Sequence, residues 1–284
     1  MNNDESLEQV LLIFPPVAKP CEPPAGIALL SGALAAHNIE HTLLDANLEG
    51  MLDLLVKPSV PADTWTRRAA RNLSKNLSSL KNLNTYTNID TYKRAVLDVN
   101  RLLTMAGTER VRISLADYAD TQLSPINSDD LRYAALHPEE NPFYEYFSKR
   151  LPVIIKRDGT TIAGFSLNYL SQALTTFAMI GFLKQEFPHI TLVVGGSLVT
   201  SWMTNRNIGD LFNNLIDHCV AGPGEYQLPD LLNKEPPQKM HVTPCYDQLP
   251  VGEYIAPGLI LPFRSSIGCY WGKCSFCPEN AEGT

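Results

Sequence analysis

The 284-residue sequence contains no apolar run approaching the roughly 20 residues that a membrane-crossing helix requires. Its first residues, Met1 to Gln9, are acidic and polar, without the basic-then-apolar order of a secretory signal. Positive charge is in short supply. Twenty-three Lys and Arg face 30 Asp and Glu, giving a formal net charge of −7, so no global basic field recruits nucleic acid or anionic lipid. Histidine is sparse and scattered, and His37, His41, His137, His189, His218 and His241 each read as surface or capping residues. No internal repeat or low-complexity tract is present. These absences point to a cytoplasmic globular protein with no membrane and no nucleic-acid partner.

Cysteine is also scarce, but its placement is informative. Cys21, Cys219 and Cys245 are isolated, whereas Cys269, Cys274 and Cys277 fall within nine residues in the run Arg264-Ser-Ser-Ile-Gly-Cys-Tyr-Trp-Gly-Lys-Cys-Ser-Phe-Cys-Pro278. Without a signal peptide, clustered cysteines read as metal ligands rather than disulfides. Three thiolates cannot close a four-ligand site alone. A four-iron cluster held by three thiolates keeps one iron open for another ligand. The alternative is a structural zinc site completed by Cys245 or His241 from the preceding segment. Against zinc stand the missing second Cys-x-x-Cys pair and the nearby Tyr270, Trp271 and Phe276, which suit a dry pocket. The sequence ends seven residues after Cys277. The expectation is therefore a complete first domain followed by the opening loop of a second one.

The body of the chain alternates strand and helix signals. Gln9–Phe14 is a short branched-apolar run stopped by Pro15-Pro16, which suits a buried parallel strand. A helix is expected over Gly26–His37 and a strand over His41–Asp45, with Asp45 and Asn47 at its carboxyl end. The pattern resumes with a strand at Thr161–Ser166, an amphipathic helix over 171–187 broken by Pro188, and a strand at Ile190–Val194. A helix over Asn207–Asn214, a strand at Asp217–Ala221 and a last helix from Gly222-Pro-Gly-Glu225 to Leu232 complete it. Five strands with intervening helices predict a doubly wound, Rossmann-like, mostly parallel sheet. Residues 51–150 depart from the pattern. Leu73, Leu77, Leu80 and Leu83, then Tyr92, Val96, Val99 and Leu103, recur at helical spacing and predict a mainly helical insertion. The expected domains are 1–235, a proline-rich linker over 236–260, and 261–284 carrying the cysteines.

Glycine-containing turns fall at successive strand ends, where doubly wound sheets bind ligands. The candidate ligand-binding residues there are Pro15, Pro16, Asp45, Asn47, Ser166, Asn168, Gly195, Gly196, Ser197, Gly222, Gly224 and Glu225. For one glycine pair the bland reading is a tight turn; five such sites favour a crevice into which a flat ligand fits. Glu225 also suits the first turn of a helix, where a carboxylate is favoured.

The segment Leu261-Pro-Phe-Arg-Ser-Ser-Ile-Gly-Cys-Tyr-Trp-Gly-Lys-Cys-Ser-Phe-Cys-Pro resembles the start of a radical SAM domain. The resemblance implies that Cys269, Cys274 and Cys277 bind a four-iron, four-sulfur (4Fe-4S) cluster whose open iron is chelated by S-adenosylmethionine, with Phe276 near the adenine. Four residues, Tyr270 to Lys273, separate the first two cysteines, one more than is usual. Ile267 stands where an arginine is common. The first 235 residues resemble the cobalamin-binding domain that precedes the barrel in one subclass of that superfamily. The matching segments are Phe14-Pro-Pro, Pro23-Pro-Ala-Gly-Ile-Ala-Leu-Leu, Leu44-Asp-Ala-Asn47, Gly164-Phe-Ser-Leu-Asn-Tyr, Val194-Gly-Gly-Ser197 and Ala221-Gly-Pro-Gly-Glu225. The Asp-x-His-x-x-Gly cobalt-ligand motif of cobalamin mutases is missing, so no histidine is nominated as a cobalt ligand. The resemblance implies radical chemistry, such as methyl transfer to an unreactive carbon of a small-molecule or peptide substrate, completed by a C-terminal barrel. The rival reading is a non-enzymatic Rossmann-like binding module with a zinc-binding tail.

Overall fold

A computed structural model describes residues 8–57, 63–205, 211–212, 214–234, 242–262, 270–271 and 273–274. The expected strands form at short apolar runs, closed by prolines after β1 and by Gly195-Gly196 at the end of β6. β1 (Val10–Phe14), β2 (His41–Asp45), β5 (Ile162–Ser166), β6 (Thr191–Gly195) and β7 (His218–Val220) make one parallel sheet in the order β2-β1-β5-β6-β7. This is the doubly wound α/β architecture, with a change of winding direction between β1 and β5. Register aligns the strand ends in a row: Phe14 pairs with Asp45, Ser166 with Gly195, and Gly195 with Val220. The turns that follow the strands therefore open on one edge of the sheet.

Alternation along β1 divides the core. Val10, Leu12 and Phe14 face α1 (Ala25–Ala36) and the last helix, α10 (Gly224–Leu231), together with Ile27, Leu34 and Leu228. Leu11 and Ile13 face the larger core, which holds α8 (Leu170–Glu186) and the insertion.

The insertion begins at the strand end itself. α2 (Ala46–Val56), α3 (Thr64–Arg71), α4 (Leu73–Leu80) and α5 (Ile89–Ala106) are followed by an antiparallel pair, β3 (Val111–Ile113) and β4 (Tyr118–Asp120). α6 (Ser128–Leu136) and α7 (Tyr144–Asp158) then lead into β5. The spacings mark real helices for Leu73, Leu77 and Leu80 on α4 and for Tyr92, Val96, Val99 and Leu103 on α5, whereas Leu83 falls in a separate 3-10 turn (Leu83–Thr87) and is exposed. The small hairpin is a departure from the mainly helical expectation. Strands of three residues are too short to show a period in sequence.

α8 was expected to be amphipathic, and it is not. Every residue from Gln172 to Leu183 is buried. The insertion supplies the reason: α6 and α7 cover the face that would otherwise meet solvent, and α8 becomes the centre of a layer. Contact is so close at Gly181 that a Cβ there would lie 1.8 Å from the Ala135 carbonyl oxygen. The expected helix over Asn207–Asn214 lies largely outside the described residues. An additional helix, α9 (Ser197–Asn205), follows β6 directly.

Residues 242–262, read as part of a linker, run along the β2 side of the domain. The Gln248 amide accepts from Leu43 N–H at 3.0 Å and donates to the His41 carbonyl at 3.1 Å, pairing the outer edge of β2. The backbone N–H of Cys245 donates to the Ala28 carbonyl and that of Ile255 to the Pro20 carbonyl. Gly32 is required for this approach, since a Cβ there would lie 2.0 Å from the Thr243 carbonyl oxygen. No helix among the described residues is long and apolar enough to cross a membrane.

Candidate functional site

The strand-end turns are tied to one another by buried polar side chains. Gln172, fully buried in the first turn of α8, accepts from the N–H groups of Asn168 and Tyr169 at 2.9 and 3.0 Å. Its amide nitrogen donates to the Pro15 carbonyl at 2.7 Å, joining the turns after β1 and β5. Asn168 continues the chain: its Oδ1 accepts from Ser197 N–H at 3.1 Å, and its carbonyl accepts from Ser197 Oγ at 3.1 Å. Thr200 closes the series, donating to the Gly196 carbonyl at 3.0 Å and accepting from Gly222 N–H at 2.9 Å. These bonds engage backbone groups of the turns, and the Gly196 carbonyl also accepts from Thr200 N–H at 2.9 Å. The turns after β1, β5, β6 and β7 are thus one hydrogen-bonded unit.

Two glycines in this unit adopt positive φ, and at Gly196 a side chain would also clash with backbone. Gly196 adopts φ +112°, and a Cβ on it would lie 2.4 Å from the Leu167 carbonyl oxygen. Gly222 adopts φ +78°.

Between the sheet and the helices α1 and α10 lies a cavity of about 260 Å³. Its apolar wall comes from Ile27 and Leu30 of α1, Val193 and Val220 of the sheet, and Leu228 of α10. Gly164 and Gly195 present no side chain to it. Its polar residues are Ser166, Asn168, Ser197, Thr200, Tyr226 and Glu225, the last only 7% exposed. No Lys or Arg lines it among the described residues. A second cavity of about 620 Å³ adjoins it, sharing Gly26, Asn168 and Ser197 and extending past Phe14, Cys21, Tyr169 and Pro262, with Lys19 and Glu22 as its charged residues. The second falls within the size range of small-molecule and cofactor sites and the first lies just below it.

Of the residues expected here, Ser166, Asn168, Gly195, Gly196, Ser197, Gly222, Gly224 and Glu225 are brought together around the first cavity. Pro15, Pro16, Asp45 and Asn47 are buried and line neither cavity. Asn47 Oδ1 accepts from Ala18 N–H at 2.8 Å, fixing the turn after β1. Asp45 caps α2 by accepting from Leu48 N–H at 2.9 Å and also accepts from the Tyr254 hydroxyl at 2.8 Å. Both hold the frame of the crevice and do not face into it. Gln172 and Thr200 were not anticipated. A glutamine three residues into a helix is a capping signal, but a buried threonine inside a helix carries none. Cys269, Cys277 and Phe276 lie outside the described residues. Cys274 is half-buried, and the described residues contain no group of three or more metal-ligating side chains. His41 is held by Ser31 and by the Ile39 carbonyl, in keeping with a structural role.

Burial raises the Asp45 carboxyl to about 6, against which the bonds from Leu48 and Tyr254 pull it down. Burial and the neighbouring Asp45 charge push the Tyr254 hydroxyl upward in turn. An acid whose folded value is raised favours the neutral form, so the folded state loses stability as pH rises from about 4 to about 6. A two-unit shift corresponds to about 3 kcal/mol. The stability of Asp45→Asn relative to wild type is expected to rise by about that amount across this window. Urea unfolding at several pH values measures it, and a pH-independent difference between the two proteins would contradict the assignment.

In comparisons with known proteins, no family model, curated protein or solved structure matches the chain.

Proposed function

We propose that this chain is the cofactor-binding part of a radical SAM enzyme: the α/β domain holds a cobalamin, and Cys269, Cys274 and Cys277 hold a 4Fe-4S cluster that binds S-adenosylmethionine. The observation that carries the proposal is the chemistry of the strand-end crevice. Its first cavity is largely apolar, floored by glycines, edged by hydroxyl and amide groups and the Glu225 carboxylate, and without lysine or arginine among the described residues, whereas Lys19 and Glu22 line the adjoining one. The buried carboxylate of Glu225 is an unfavourable neighbour for a phosphate in the first cavity. A flat, amide-edged macrocycle finds apolar surface for its ring and hydrogen-bonding partners for its edge.

The path of the chain supports the second half of the proposal. Pro262 lines the larger cavity, and six residues separate it from Cys269. Seven extended steps reach at most about 25 Å. Chain connectivity alone therefore keeps Cys269, the first of the three cysteines, within that distance of Pro262, and Tyr254, Ile255 and Gln248 hold the preceding segment to the domain.

Bound cofactors of this kind supply one-electron and methyl-group chemistry; the protein binds, orients and shields them. In this reading Ser166, Asn168 and Ser197 orient the corrin edge. Gly195, Gly196 and Gly222 let the backbone approach it, and Glu225 accepts from its amide groups. A reducing cytoplasm suits the three thiolates.

Anaerobic reconstitution with ferrous iron and sulfide tests the cluster assignment. The expected result is a brown protein whose visible sulfur-to-iron absorbance disappears when Cys269, Cys274 and Cys277 are all replaced by alanine. Full iron retention in that variant, or zinc bound in preference to iron by the wild type, would overturn it.

A further inference from the structure

The positive charge that the chain as a whole lacks is concentrated in one unit. Residues 63–107 carry eight Lys or Arg against three Asp or Glu, a balance of +5 in a chain of net −7. This stretch forms α3, α4 and α5, with α3 and α4 both packed on α5.

The charges point outward. Arg67, Arg68 and Arg71 lie on the side of α3 opposite its buried Thr66 and Ala69. Lys93 and Arg94 lie across α5 from Ala95, Val99 and Leu103. Lys75 is exposed on α4. Two cations of the unit have partners: Lys81 pairs with Glu253 at 3.1 Å, and Arg101 lies 3.9 Å from Asp63. The other six have no carboxylate within 4 Å among the described residues. Like charges one turn apart, such as Arg67 and Arg71, destabilise a helix. Arg71 in the last turn of α3 gains from the helix dipole, but no carboxylate among the described residues neutralises the pair.

Apolar side chains are interleaved with these cations. Leu97 is 66% exposed and stands one turn from Lys93 on one side and from Arg101 on the other. Ile89 is exposed one turn before Lys93, and the exposed Trp65 lies under the Arg68 guanidinium at 5.8 Å. A phosphate backbone would engage the cations and leave Leu97 and Ile89 in water. The rest of the chain, strongly acidic, would also repel a long polyanion. A peptide carrying both carboxylates and aliphatic side chains satisfies both kinds of group.

We propose that the α3–α5 unit is a docking surface for a protein partner, through a segment rich in acidic and apolar side chains. This surface is separate from the strand-end crevice and does not depend on what the crevice binds.

Fluorescence anisotropy with a labelled peptide alternating glutamate and leucine tests the proposal on the full chain. Saturable binding is expected, weakening with added salt. It should fall by about tenfold or more in the triple variant Arg67→Glu/Arg71→Glu/Arg94→Glu and, independently, in Leu97→Asp. Far-UV circular dichroism checks the fold, and Arg94→Gln serves as a milder charge variant with a smaller loss. No saturable binding of the peptide would overturn the proposal. So would tighter binding of a labelled oligouridylate or of phosphatidylserine vesicles, with Leu97→Asp without effect.

Discussion

Gly196→Val is expected to lower the stability of the domain by about 3 kcal/mol. Two costs combine. Valine at φ +112° is strained, and its Cβ would be driven to 2.4 Å from the Leu167 carbonyl oxygen, which belongs to the neighbouring turn. The clash is with backbone, so no side-chain rotation relieves it. The turns after β5 and β6 must separate, breaking the bonds from Ser197 to Asn168. Gly222→Ala supplies the graded comparison. Its φ is +78°, but the nearest atom to its Cβ would be 3.7 Å away, so only the conformational cost of about 1 kcal/mol applies. Urea unfolding midpoints separate the two, and equal midpoints for Gly196→Val and wild type would contradict the packing described.

The largest single loss is expected from Phe147→Ala, about 3 to 5 kcal/mol. Phe147 is fully buried on α7. Its ring meets Tyr144 edge-on at 5.5 Å and Phe182 of α8 at 5.7 Å. Truncation opens a cavity at the seam where the insertion covers α8, and α8 carries Gln172 at its first turn. Leu97→Ala, on an exposed face of the same insertion, should change stability by less than about 0.5 kcal/mol. Comparable losses for the two variants would show that the insertion is not part of the core.

Much of this architecture is legible in the sequence because its signals are local. Val10–Phe14 is closed by two prolines, His41–Asp45 ends at a helix cap, and Gly195-Gly196 follows a run of branched residues. Each reads as a buried parallel strand, and the five-stranded sheet follows from them. The glycine turns likewise point to the crevice, since only a few residues around each strand end are involved. What the sequence does not reveal depends on long-range packing. The burial of α8 on all sides is decided by α6 and α7, some 40 residues earlier in the chain. Gln248 pairs the β2 edge from 205 residues away. Asp45 and Asn47 sit at a strand end as expected, yet their side chains turn to Leu48, Tyr254 and Ala18. A strand-end position says that a residue is near the crevice; which way its side chain points is settled by the partners around it. Thr200 shows the converse, an unremarkable helical residue that joins two turns.

Titration of the purified chain with hydroxocobalamin, followed in the visible spectrum and by co-elution on gel filtration, is the most direct test of the crevice as a cofactor site. One corrinoid per chain is expected, with a spectral change on binding. Leu30→Trp, which places an indole in the space of about 260 Å³ between α1 and the sheet, should abolish that change while the far-UV circular dichroism stays that of the folded protein. A folded wild-type chain that neither retains the corrinoid nor alters its spectrum would contradict the assignment, as would undiminished binding by Leu30→Trp.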